Sequence, residues 1–193
     1  MVSTTQSTAV PAPEDLDALL RSRRTINLFE PEPVAEELLL GAIDVARWAP
    51  NHKLTQPWRF YVVSQATKEK IARCAADIDA AAKGERVGQA RYERLMAVPA
   101  TFVVTSRIGN GELMDLEDYA AACCAVQNLT LSLWSRGVGV KWTTGAVTRE
   151  PAFYELVGVD AGAERVIGYF WYGTPKLVPE QKRKPVDDIV RHV

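Results

Sequence analysis

Histidine, cysteine and net charge are all scarce in this sequence, and each scarcity removes a class of function. Only two histidines occur among 193 residues, His52 and His192. A Ser-His-Asp device would have to use His52, because His192 is next to the last residue, and no G-x-S-x-G elbow accompanies it. H-E-x-x-H and C-x-x-C are absent, so no protein-bound metal is expected. No G-x-x-x-x-G-K-[ST] loop is present, and the pairs Gly109/Gly111 and Gly137/Gly139 lack the third glycine of a dinucleotide loop. An enzyme built from this chain needs reactive equipment brought from outside, and no catalytic side chain is expected.

The three cysteines, Cys74, Cys123 and Cys124, have no paired spacing. An odd, unpaired set argues against a disulfide scaffold and fits a reducing, cytoplasmic setting. Cys123 and Cys124 sit in an apolar helical run and read as packing residues. A net charge of -1 provides no field for nucleic acid or an anionic membrane, and Lys182-Arg183-Lys184 is the one dense basic run. No apolar run has the length of a membrane span. Residues 1–12 are polar and Ser/Thr-rich, which reads as a loose tail and not a signal peptide. The rest, 47% apolar residues overall, reads as a single domain over 13–193 with a C-terminal extension.

Pro13 with Glu14 and Asp15 predicts a first helix, and Pro33 with Glu36 and Glu37 a second that ends near Ala49 before Pro50. Strands are expected over 59–63, 101–105, 138–142 and 165–172 from their aromatic and β-branched content. Helices are expected over 67–82, 86–97 and 117–136, with a short one from Pro151 to Gly158. The 117–136 helix is apolar almost all round, so it belongs in a large core or a subunit interface. Long helices between strands imply an α+β fold with a helix-flanked sheet.

Three segments look suited to holding a ligand. Arg21-Ser22-Arg23-Arg24-Thr25 offers guanidinium forks and a hydroxyl that match phosphate oxygens, although the same cations also complement a helix C-terminus. Between Pro50 and Pro57, Asn51, His52, Lys53, Thr55 and Gln56 crowd five hydrogen-bonding side chains into a loop of reduced entropy. Simple capping accounts equally for that density. Lys141-Trp142-Thr143-Thr144-Gly145-Ala146 ends a strand in hydroxyls and an open backbone, a pattern that ordinary turns share.

Together with Gly168-Tyr169-Phe170-Trp171-Tyr172-Gly173-Thr174-Pro175 and Arg183-Lys184-Pro185, these segments resemble the flavin-dependent nitroreductase family, especially its compact members. The resemblance runs in order over about residues 17–190, and A-P-N-H-K-L-T-Q-P-W is its most specific element. It implies an antiparallel-rich mixed sheet flanked by helices, in a homodimer with FMN at each of two interface sites. By position, Arg23 resembles the phosphate-binding arginine, with Arg24 and Thr25 beside it and Arg183 as a further contact. Asn51, His52, Lys53 and Gln56 lie in the segment that reaches the flavin, partly from the partner subunit. Trp142, Thr143, Thr144 and Gly145 match the segment beside the isoalloxazine ring, with Trp48, Phe29 or Trp142 as borders of its open face.

The implied reaction moves hydride from NAD(P)H to a nitroaromatic, a quinone or a similar small electrophile. FMN then carries the chemistry, which accounts for the missing catalytic machinery. One departure stands out: larger members carry an acidic residue and a longer loop where this chain has Thr143-Thr144-Gly145. A flavin-dependent dehydrogenase and a non-catalytic flavin-binding module on the same fold are the alternatives.

Overall fold

A computed structural model describes residues 13–193, and the stretch read as a loose tail lies outside the described residues. Helix α1 (Pro13–Ser22) starts on its proline with Glu14 and Asp15 in the first turn, where the helix dipole favours carboxylates. Helix α2 (Glu36–Ala46) buries Leu39, Ala42 and Ala46, one stripe at helical spacing. It ends three residues before the expected Ala49. Trp48 and Ala49 close a tighter turn by bonding the carbonyls of Val45 and Ala46 at 3.2 and 3.0 Å, and Pro50 stops the winding.

Strand β1 (Trp58–Val63) leads into α3 (Gln65–Lys83), whose first turn is capped by the Ser64 hydroxyl accepting from the Thr67 amide. Gly84, at φ 95°, turns the chain into α4 (Glu85–Met96), which packs back on α3. Strand β2 (Ala100–Arg107), helix α5 (Glu112–Trp134), strand β3 (Gly139–Thr143), helix α6 (Pro151–Val157) and strand β4 (Glu164–Gly173) follow. Helix α5 begins five residues before the expected Glu117. Its first five residues, Glu-Leu-Met-Asp-Leu, follow the Gly109–Gly111 turn and bury no stripe, with Leu113 and Leu116 70% and 63% exposed.

The four strands pair antiparallel in the order β1-β2-β4-β3. The only parallel pairing among the described residues is the Thr25–Val140 bridge, which lays the segment after α1 along the outer edge of β3. Both faces of the sheet are covered. Phe102, Val104, Phe170 and Tyr172 face α2 and α5, while Val103, Tyr169 and Trp171 face α3, α4 and α6. The central strands β2 and β4 therefore read as continuous apolar runs without alternation. Phe102 and Phe170 stack with centroids 4.8 Å apart, cross-strand partners in register.

The face of α5 bearing Ala120, Cys124 and Gln127 is exposed, so this helix does leave one side uncovered in the single chain. Cys124 is accordingly on the surface of the single chain, where it packs against nothing, while Cys123 is half-buried.

Candidate functional site

The last turn of α1 and the C-terminal segment deliver a cluster of cations to one place. Arg21, Arg23, Arg24 and Arg183 line a cavity of about 560 Å³ together with Leu20, Gln127 and Gln181. Arg24 Nη1 is fixed by donating to the carbonyls of Arg21 at 2.6 Å and Arg23 at 2.9 Å. Arg21 pairs with Asp17 at 2.9 Å, but no ion pair among the described residues reaches Arg23, Arg24 or Arg183. Burial, then the charges of Arg183 and Arg24, pull the Arg23 guanidinium below its ordinary value. Three cations that repel one another around a cavity leave a positive potential that an anion would relieve.

Thr25 and Asn27 continue from this cluster along β3. The Ile26 amide donates to the Val140 carbonyl at 3.2 Å, and Asn27 Oδ1 accepts from Lys141 Nζ at 2.7 Å. Lys141 Nζ stands 4.7 Å from the centre of the Trp171 ring, with the guanidinium carbons of Arg91 and Arg94 at 5.7 and 5.5 Å. Burial first, then Arg94 and Arg91, lower the Lys141 ammonium. Arg91 reaches toward Gly145, where a Cβ would lie 3.6 Å from its Nη2, and among the described residues its one counter-charge within 4 Å is Asp79 at 3.8 Å. A second cation cluster thus adjoins the first along one sheet edge. Sequence reasoning missed Arg91, Arg94 and Asn27, and gave Lys141 no role. The spacing of Arg91 and Arg94, three apart on one helix face, is the signal that could have found them.

The strand-end residues are more constrained than their types suggest. Thr143 Oγ1 donates to the Tyr169 carbonyl at 2.6 Å, while Thr144 is exposed. Trp142 Nε1 donates to the Ile167 carbonyl at 2.8 Å and its ring lies against Gly168, where a methyl group would overlap it. Trp142 is thereby pinned with 39% of its surface exposed. Phe29 packs on Gly173 and bridges Pro175, while Trp48 is 70% exposed with Arg47 over its ring at 5.5 Å.

The Asn51–Gln56 loop lies elsewhere. It feeds β1, the opposite edge of the sheet, so three strand spacings, about 14 Å, separate that edge from β3. One chain therefore does not gather Asn51, His52, Lys53 and Gln56 with Arg23, Arg24, Thr25, Arg183 and the Trp142–Gly145 segment. The loop holds Lys53, Leu54 and Gln56 in the left-handed region, at φ 53°, 53° and 45°. For residues bearing a Cβ this costs roughly 1–2 kcal/mol each. Cross-links hold the shape. Asn51 Oδ1 accepts from the Gln56 amide at 2.9 Å, His52 Nδ1 meets Glu117 Oε2 at 2.7 Å, and Thr55 Oγ1 donates to Asp118 Oδ1 at 2.5 Å. Strain maintained by cross-links at a polar loop is a mark of functional segments.

The chain combines a helix-flanked antiparallel sheet with a cation-lined edge and a strained polar loop, and it belongs to the nitroreductase family. The model described as Nitroreductase family matches residues 20–174. Among relatives, YfhC of Bacillus subtilis (strain 168) is 31% identical over 175 residues, spanning 88% of this chain and 90% of the relative. The nitroreductase-like family protein from Bacillus cereus superposes with TM-score 0.82 at 28% identity, covering 96% of this chain and 99% of the other. The FMN-dependent nitroreductase NfnB from Mycobacterium smegmatis, solved in complex with NADPH, shares the fold at TM-score 0.75 and 16% identity, over 93% and 98% of the two chains. Among the described residues, no helix is long and apolar enough to cross a membrane, and no group of three or more His, Cys, Asp or Glu side chains could hold a metal ion.

Proposed function

We propose that this chain is an FMN-dependent oxidoreductase that passes hydride from NAD(P)H to a small electrophile of the nitroaromatic or quinone type. The observation that carries this reading is the run of cations along the β3 edge, for which the described residues supply one carboxylate, Asp79 at 3.8 Å from Arg91. Their chemistry fits FMN at both ends. Arg23, Arg24 and Arg183 supply forks for a phosphate, with Thr25 beside them. Lys141, Arg91 and Arg94 offer donors and positive charge to the oxygen-rich rim of a flavin ring beside Thr144 and Gly145. When bound, the group supplies two-electron transfer between a nicotinamide and an electrophile. The chain's own residues bind the phosphate, orient the ring and wall it from water.

A second copy of the chain completes the site in this reading, giving a homodimer whose partner brings the Asn51–Gln56 loop. Three features support it. The loop stands on the wrong edge to serve its own cation cluster. The α5 face of Ala120, Cys124 and Gln127 is uncovered. Leu177, Val178, Val186, Ile189 and Val190 of the C-terminal extension are all exposed, apolar surface that an isolated chain has no use for.

The direct test is the visible absorption of the purified protein. FMN should bind and give a flavin spectrum that NADH or NADPH bleaches without oxygen, and a nitroaromatic or quinone should then restore it. A protein that ignores added FMN refutes the proposal. One that binds FMN and is never bleached is a flavin-binding module instead.

A further inference from the structure

We propose that Asp118 is a positioning residue for the cofactor site, acting through Thr55 to hold the Asn51–Gln56 loop in its strained shape. This rests on the FMN reading above. Asp118 is 1% exposed, yet it carries a carboxylate, and each oxygen has its own donor. Oδ1 accepts from the Thr55 hydroxyl at 2.5 Å, and Oδ2 accepts from Arg107 Nε at 2.7 Å. Arg107 ends β2, and its amide donates to the Pro57 carbonyl at 2.8 Å, just past the loop. One buried carboxylate therefore joins helix α5, the end of β2 and the middle of the loop.

The loop needs such an anchor. Among the described residues, Lys53, Leu54 and Gln56 are the only non-glycine positions with positive φ. They cannot be held by apolar packing, since Leu54 is 77% exposed. Asn51 closes the loop on itself through the Gln56 amide and the Ala49 carbonyl, which fixes its ends but not its attachment to α5. His52–Glu117 does cross to α5, but half of the His52 side chain is solvated, and exposed pairs contribute little. Thr55–Asp118 is the link that water does not weaken, because its acceptor is buried. Apart from Thr55, whose hydroxyl it holds, Asp118 bonds none of the candidate ligand groups. Its effect on binding runs through the backbone that aims Asn51, His52 and Lys53.

The experiment uses the full chain, with Thr55→Val removing the hydroxyl while leaving Asp118 its Arg107 partner. FMN affinity is read by flavin fluorescence, stability by thermal unfolding of the apo protein, and loop order by amide hydrogen exchange. The expected result is about tenfold weaker FMN binding and at least tenfold faster exchange over residues 52–56, in line with loss of one hydrogen bond to a charged group. Protection over Phe102–Thr105 should fall no further than global stability does, and the unfolding midpoint should drop by only a few degrees. Thr55→Ser, which restores the hydroxyl, should restore both readouts.

In a background carrying His52→Ala and Lys53→Ala, Thr55→Val should weaken FMN binding clearly less than in the wild-type background, because two of the aimed groups are already gone. Wild-type exchange of the loop in Thr55→Val overturns the clamp. An undiminished Thr55→Val effect on FMN in the double-alanine background overturns positioning through the loop. If the wild-type protein binds no FMN, the cofactor reading falls and with it the positioning role. The exchange data would then still decide, separately, whether the clamp exists.

Discussion

Replacing Arg23 should separate ligand binding from folding, because its charge opposes the fold and favours the ligand. The guanidinium is half-buried between Arg24 and Arg183, and like charge and burial both disfavour its ionised state. Arg23→Met keeps most of the aliphatic stem that packs at the end of α1 while removing the charge. The apo protein should therefore melt at the same temperature or slightly higher. FMN binding should change in the opposite sense. Charge-assisted hydrogen bonds to a phosphate contribute about 1.5–3 kcal/mol net, so the dissociation constant should rise about 10- to 150-fold. Fluorescence titration at two ionic strengths adds a second check, since screening acts over about 8 Å at physiological salt. Wild-type affinity should fall with salt more steeply than that of the variant. An unchanged dissociation constant with an unchanged salt dependence would refute the assignment of Arg23 to an anion site. A large loss of apo stability would refute the account of its electrostatics.

Gly168→Ala should cost about 1–3 kcal/mol in urea unfolding, because a methyl group there meets the Trp142 indole and the Phe170 ring inside a packed sheet face. Ala120→Glu with Cys124→Glu places charge on the exposed face of α5, so sedimentation should show monomers and the flavin spectrum should be lost together. Monomers that keep full FMN would count against a shared site. Burial pushes the Tyr61 and Tyr169 phenols up to about 12, with the Glu164 hydrogen bond adding to Tyr61. Unfolded phenols ionise near 10, so the folded chain holds more protons between those values, and the contribution of these two groups to stability should be constant below pH 10 and be lost as pH rises toward 12. For the fully buried Tyr169 the drop is roughly 3 kcal/mol, and Tyr169→Phe should flatten that part of the unfolding profile.

Much of the fold was legible because its signals are local. Proline starts and stops, the Leu39–Ala42–Ala46 stripe and the aromatic run over 166–172 each specify an element without knowledge of the rest. Missed boundaries occur where local signals are absent or tertiary ones take over. The opening of α5 is such a case, held by Asp115 receiving the Gly109 amide at 3.2 Å and Arg165 at 2.7 Å. The same limit governs the site. Arg23, Arg24 and Arg183 could be grouped by residue type, but Arg91, Arg94 and Lys141 meet only because α4 and β3 cover the same Trp171 ring. Nor does any residue pattern show that Lys53, Leu54 and Gln56 take up left-handed backbone, since none is a residue that prefers it.

The proposed assembly follows from one geometric conflict. The cation-lined edge and the strained loop are each held by hydrogen bonds of their own, at Arg24 and Lys141 in the one and Thr55 in the other, yet they occupy opposite edges of one sheet. Both border the exposed face of α5, the loop near Glu117 and Ala120, the arginine cavity at Gln127. Ten residues of helix from Glu117 to Gln127 span about 15 Å. A hinge motion large enough to unite them would have to tear β2 or β4 from the core, where Phe102, Phe170 and Trp171 are fully buried. Association of a second copy across α5 needs no such disruption. In a two-fold assembly every contact occurs twice, so each loop can meet the other copy's cation edge and two equivalent sites form at once. Ala120 and Cys124 suit that approach, because small side chains let facing helices come close. On this reading the mutual repulsion among Arg23, Arg24 and Arg183 favours the complete, anion-loaded assembly over the empty single chain.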